Sequence, residues 1–179
     1  VCPCGFVYKV TILGAFIVCL FFSIKDMTGR KYFEEALHYC HLDKKVQAFQ
    51  HIDKALRQDP HSLHYLNQAG YFSAQKGYGW NDALVRKAIA FYERSIAINP
   101  NQLEILESLG ALYVYLGDIG KGVNYFCDTI NCVPHKIATY VQLLHVLKRS
   151  HQQELYDKWL GFFTFVQPGL VFSQPVLIE

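Results

Sequence analysis

A surplus of charge of one sign is what this sequence most plainly lacks. Its 17 Lys and Arg are matched by 15 Asp and Glu, leaving a formal +2 over 179 residues. Nucleic-acid binders carry a basic stripe on one face. Here the bases are scattered among acids, so no nucleic-acid partner is expected. The compact signatures of catalysis are missing as well: there is no G-x-S-x-G, P-loop, H-E-x-x-H or G-x-G-x-x-G. The Gly-rich stretch Gly117-Asp118-Ile119-Gly120-Lys121-Gly122 follows a helical pattern rather than a strand, which removes a phosphate-binding reading. Neither an enzyme nor a cofactor is expected.

Cysteine and histidine are present without a ligand pattern. Cys2-Pro3-Cys4 has no second ligand pair, which a zinc site requires. Cys40, Cys127 and Cys132 fall in helical segments and read as packed free thiols, which leans toward a reducing compartment. In His38-Tyr39-Cys40-His41 a helix points the two histidines one way and the cysteine another. His61 and His64 can share a face, again without a second pair. No metal site is expected.

What the chain has in excess is apolar surface: 51% hydrophobic and 15% aromatic residues, more than an ordinary soluble domain. Much of it sits at the ends. Residues 6–24 read FVYKVTILGAFIVCLFFSI with Lys9 as the only charge, close to the roughly 20 residues that cross a bilayer as a helix. Lys9, one turn in, can snorkel to the interface. The run ends in Phe22-Ser23-Ile24-Lys25 rather than in a small-residue cleavage site, and its length and lack of charge favour a span or anchor over a signal peptide or a buried first helix. Lys25, Arg30 and Lys31 follow it, and the positive-inside tendency then predicts a single-pass membrane protein with the remainder in the cytoplasm. At the other end, Pro168-Gly169 and Pro175 forbid a continued helix. Leu170, Val171, Phe172, Val176, Leu177 and Ile178 nonetheless form an apolar, extended tail that needs cover. It is expected either to cap the end helix near Trp159 or to lie in a binding groove until a partner displaces it.

Between the ends the chain repeats itself. Pro100 and Pro134 are 34 residues apart, and each closes a segment with two helical patterns and a turn. The segment ending at Pro134 predicts one helix over 103–116, a turn at Gly117-Asp118 and a second helix over 119–132. Its punctuation is Leu109-Gly110, Tyr113, Gly122, Phe126, Thr129 and Pro134. The segment before it carries Ala69-Gly70, Ala88, Tyr92, Ser95 and Pro100, and the one before that Ala36, Tyr39, Ala48, Ile52, Ala55 and Pro60. Pro60 and Pro100 are six residues too far apart for the period, and the excess maps to Gly77-Tyr78-Gly79-Trp80-Asn81-Asp82, with Trp80 placed to staple onto Val85. A fourth segment begins near Ile137 but has Tyr156 and Leu160 where a small residue and an aromatic are due.

This punctuation resembles the tetratricopeptide-repeat (TPR) family. The resemblance implies an all-α helix-turn-helix repeat solenoid: three TPR units plus a degenerate capping pair over residues 29–163, preceded by a segment (1–28) with the apolar helix and followed by the tail (164–179). Such units stack because one pair cannot bury its own apolar face. The family's binding groove is lined by first helices, and the matching positions here are Phe33 and Leu37, then His64, Asn67 and Tyr71, then Glu104 and Glu107, then Val141, His145 and Lys148. An extended segment or helix of another polypeptide is the implied partner. Members that grip a terminal carboxylate use a Lys, Asn and Arg clamp. The matching residues are Phe33, Leu37, Gln68, Glu104 and Ser108, so that ligand is not implied.

The expected function is a membrane-anchored scaffold or accessory subunit. Two alternatives stay open. One is the C-terminal TPR part of a multi-pass membrane enzyme similar to an O-antigen ligase or polymerase, in keeping with a chain that begins at Val1. The other is a pilin-like filament subunit, since Gly5-Phe6 resembles a prepilin cleavage site, although Lys9 and Val10 stand where an acidic residue belongs.

Overall fold

A computed structural model describes the backbone of residues 4–75 and 82–166, with side chains from residue 14 onward. The described residues form eight helices and no strand: α1 (Cys4–His41), α2 (Lys45–Gln58), α3 (Leu63–Ala74), α4 (Asp82–Ile98), α5 (Leu103–Tyr115), α6 (Ile119–Cys132), α7 (Ile137–Arg149) and α8 (Gln153–Val166). They fall into two compact units, Val1–Ile98 and Asn99–Glu179. Each unit is two helical hairpins, α1/α2 with α3/α4 and α5/α6 with α7/α8.

The hairpins form where the punctuation predicts. Ala48, Ala88 and Gly122 are buried on the second helices, as are Ile52, Tyr92 and Phe126 four residues later and Ala55, Ser95 and Thr129 after them. Small residues let the helices approach, and large ones fill the remaining space at near-crystalline density. In the first helices the buried set Tyr65, Leu66, Ala69, Gly70, Phe72 and Ser73 of α3 reappears in α5 as Ile105, Leu106, Leu109, Gly110, Leu112 and Tyr113. The offset is 40 residues, so the six-residue excess leaves the register of both helices intact. That excess lies almost wholly outside the described residues, as does the Trp80 staple.

Turn chemistry repeats as well. In α5/α6 Gly117 adopts φ +85, its N–H bonds Val114 O at 3.0 Å, and Asp118 N–H bonds Tyr113 O at 2.9 Å. Asp118 then caps α6 by accepting from Lys121 N–H at 3.2 Å. Asp43 (φ 55) and His151 (φ 56) hold the same left-handed place in the α1/α2 and α7/α8 turns, with the same pair of backbone bonds. Glycine takes this conformation freely and other residues at a cost.

The core of the first unit joins Phe33, Ala36, Ala48, Ile52, Ala55, Leu66, Ala69 and Phe72, with Phe91 from α4. That of the second joins Val123, Phe126, Ile130, Tyr140, Leu143, Leu147 and Phe163. Fully burying one such aliphatic or aromatic side chain contributes about 1.5–3 kcal/mol. The degenerate fourth pair closes by a different route: Tyr156 and Leu160 remain half-buried, while Phe163 fills the place that Ala55, Ser95 and Thr129 occupy elsewhere. α8 runs to Val166, three residues beyond the expected end of the repeats at residue 163. The tail itself lies outside the described residues, apart from its first three positions, which belong to α8.

The N-terminal expectation has to be corrected. Residues 6–24 are not a separate span: they begin α1, which continues unbroken through the first repeat helix to His41. Among the described residues no helix is long and apolar enough to cross a membrane. From residue 14, where side chains are first described, the apolar stretch reaches only Ile24 before Lys25 and Asp26 interrupt it, well short of roughly 20 residues. The single-pass localisation with cytoplasmic repeats is therefore not upheld. Residues 6–13, Lys9 among them, lie outside the described side chains. Phe16, Phe21, Phe22 and Met27 are each more than half exposed, and among the α1 residues whose burial is described, Gly29 is the first buried.

Candidate functional site

The positions matched to a binding groove divide between the two units, and within each unit the structure treats them unequally. In the first unit Phe33 is not a surface residue. Its ring is 7% exposed, stacks on Tyr65 at 5.1 Å and lies 4.4 Å from His64, and so belongs to the core that holds α1 against α3. Leu37 packs half-buried on the same core. Asn67 Oδ1 accepts from Ser95 Oγ at 2.5 Å, tying α3 to α4. His64 and Tyr71 are the members left open, Tyr71 at 51% exposure. Burial raises the pKa of the neighbouring Tyr65 phenol, with the carboxylates of Asp26 and Asp59 adding to the rise and Arg30 opposing it.

In the second unit Glu104 is exposed on α5, whereas Glu107, matched to the open groove, is engaged with other side chains. It accepts from Lys136 Nζ at 2.7 Å and from the hydroxyl of Thr139, with its side chain only 17% exposed, and so fastens α5 to the start of α7. Neither partner was foreseen. A signal existed: Thr139 occupies the repeat place filled by Tyr65 in α3 and Ile105 in α5, and a hydroxyl at a fully buried apolar place needs an acceptor. On α7, Val141, His145 and Lys148 are all exposed. Tyr115, not matched to the groove, adds another open aromatic at the end of α5.

A pattern emerges from the exposed members. His64 and Tyr71 on α3, Glu104 and Ala111 on α5, and Ala138 and His145 on α7 are pairs seven residues apart, all open, on the side opposite the buried set of each helix. Two turns of helix separate members of a pair, so each pair marks one stripe. These separate stripes carry an aromatic and an imidazole on α3, an acid on α5, and Val141, His145 and Lys148 on α7. Among the described residues no group of three or more His, Cys, Asp or Glu side chains is arranged to hold a metal. His38 is exposed and Cys40 half-buried, while Cys2 and the side chain of Cys4 lie outside the described residues. The Cys127 thiol is pushed up by burial, with Asp128 adding and Lys158 opposing, which leaves it poor in thiolate.

No protein-family model matches the sequence, and no curated protein sequence does either. Solved structures do match. A tetratricopeptide repeat protein from Parabacteroides merdae superposes with a TM-score of 0.68 at 16% identity, covering 81% of this chain and 56% of that one. The fold is that of a TPR protein. MamA matches with a TM-score of 0.63 at 18% identity over 78% of this chain and 77% of its own. The first TPR of Spaghetti (RPAP3), solved with an HSP90 peptide, SRMEEVD, matches with a TM-score of 0.59 at 13% identity over 70% of this chain and 95% of its own. At these identities the TPR likeness is one of fold.

Proposed function

We propose that this TPR chain is a scaffold or accessory subunit that holds another polypeptide against the open stripes of its first helices. The observation that carries the reading is the recurring pair of exposed positions, His64/Tyr71, Glu104/Ala111 and Ala138/His145, each on a helix whose other face is committed to the core. Elements packed this tightly on one side present the other side as a fixed surface, and a fixed surface costs a partner little to engage. The peptide in the RPAP3 structure supports a polypeptide as the class of ligand for a TPR of this fold. A terminal carboxylate is not the feature read here. It calls for a cationic clamp, and Phe33, Leu37, Gln68, Glu104 and Ser108 stand in the clamp places, with Phe33 buried and Glu104 of the wrong sign. Tyr71 is the proposed anchor in the first unit, since exposed aromatics often dominate binding energy. Val141, His145 and Lys148 form the proposed contact in the second.

The reading is tested by placing a photoreactive phenylalanine analogue at position 71 and, separately, at position 86 on the exposed side of α4, then irradiating the protein in its native extract. Adducts with one defined polypeptide from position 71 and none from position 86 are expected. Equal adducts from both, or from 86 alone, would refute it.

A further inference from the structure

The last helix carries more apolar surface than its own hairpin can use. α8 turns Phe163 inward, fully buried against Tyr140 with ring centroids 4.9 Å apart. Leu155, Phe162 and Phe165 nevertheless remain 39%, 46% and 82% exposed. Leu155, Trp159 and Phe162 follow one another at spacings of four and three, so they form a single stripe beside the buried face, with Phe165 at its edge. An outward face left to water is normally polar, and on α8, the last described helix, it presents aromatics.

We infer that residues 170–178 of this same chain cover the Leu155–Trp159–Phe162 stripe of α8. Three observations single out this occupant. The first is reach: α8 is 14 residues long, about 21 Å, and nine extended residues span about 30 Å, enough to run back over its whole length. The second is the junction. Pro168 and Gly169 follow Val166 with only Gln167 between. Proline disfavours a continued helix, and glycine lowers the cost of a sharp turn. The third is composition: residues 167–178 contain no charge and six large apolar side chains, Leu170, Val171, Phe172, Val176, Leu177 and Ile178, which is not the composition of a segment that stays solvated. A second copy of the chain would bury the stripe too, but a tether of a few residues supplies the tail at an effective concentration of order mM. The tail therefore wins at ordinary protein concentrations.

The test uses the full chain and a Phe172→Ser/Leu177→Ser variant, both in a Trp80→Phe background so that Trp159 is the sole indole. Acrylamide quenching of Trp159 and amide hydrogen exchange along α8 are measured at low and high protein concentration, with exchange in α5 as the control for folding. Expected in the unaltered tail is a shielded Trp159 and concentration-independent protection of α8. In the variant α8 should exchange about tenfold faster and Trp159 should become more quenchable, while α5 is unchanged. Identical quenching and exchange in the two proteins would overturn the inference. So would α8 protection that rises with concentration and is indifferent to the variant, because a second copy would then be the cover.

Discussion

The hairpins α3/α4 and α5/α6 obey the same punctuation and reach close approach by different means. In α3/α4 the tight spot is a ring against a glycine: a Cβ added to Gly70 would lie 2.3 Å from Tyr92 Cε1. In α5/α6 backbone is involved as well as a side chain, since a Cβ on Gly122 would meet Val114 Cγ2 at 2.5 Å and the Gly110 carbonyl oxygen at 2.9 Å. Gly70 is needed because Tyr92 is large. Gly122 is needed partly because of where the neighbouring backbone runs, and no side-chain change can relieve that part. A repeat motif thus records one geometric requirement whose physical cause differs from copy to copy.

The difference can be broken by mutation. Gly122→Ala should have the largest effect, at the upper end of the roughly 1–3 kcal/mol typical of overpacking, and Val114→Ala should rescue it only in part because the Gly110 carbonyl remains. Gly70→Ala should fall in the same range, but Tyr92→Leu in the same chain should recover most of the loss. Urea titrations of the four proteins decide it, and full rescue in both hairpins would erase the distinction.

Next in size is Glu107→Leu. A freely solvated carboxylate would tolerate the change, whereas loss of the Lys136 and Thr139 contacts leaves a buried hydroxyl without its acceptor and should cost about 1–2 kcal/mol. The same substitution at exposed Glu104 should cost less than about 0.5 kcal/mol. Equal midpoints for the two would return Glu107 to the surface.

Two smaller effects sharpen the comparison of turns and of cores. His151→Gly should stabilise by about 0.5–1 kcal/mol, because the α7/α8 turn then has the residue that α5/α6 already uses at Gly117. A lower melting midpoint would contradict the shared left-handed turn. Among the described residues the buried Tyr140 hydroxyl has no hydrogen-bond partner, and burial raises its pKa. Tyr140→Phe should therefore be within about 0.5 kcal/mol of neutral near pH 7, or slightly stabilising. Ionisation is disfavoured in the folded state, so Tyr140 contributes stability below its unfolded pKa, near 10, and loses it as pH rises through the higher folded value. The variant should accordingly be the more alkali-resistant protein in a pH series of thermal melts.

Most of the helical architecture was legible in the sequence because its signals are local. Small and large residues at fixed spacing, Gly117-Asp118 at a turn and the closing prolines each act within one hairpin, which is why α6 falls on the predicted residues and α5 within one of them. The candidate site was legible only in part. Groove positions transferred by pattern say which side of a helix a residue takes, not what its neighbour does there. Phe33 went to the core because Tyr65 and His64 offered their rings, and Glu107 went to a tie because Lys136 and Thr139, about thirty residues on, supplied donors. The apolar N-terminal run misled for a related reason: length and hydropathy describe a segment by itself, and here the segment opens the helix that becomes the first repeat.

The most direct test of the binding account is the dissociation constant for the polypeptide captured at position 71, measured with Tyr71→Ala and with Arg86→Ala. Losing a central aromatic anchor should weaken binding at least about tenfold, whereas the change on α4 should leave the constant unaltered. Unaltered affinity in Tyr71→Ala, with the fold intact by circular dichroism, would contradict the claim that the open stripes of the first helices are the binding surface.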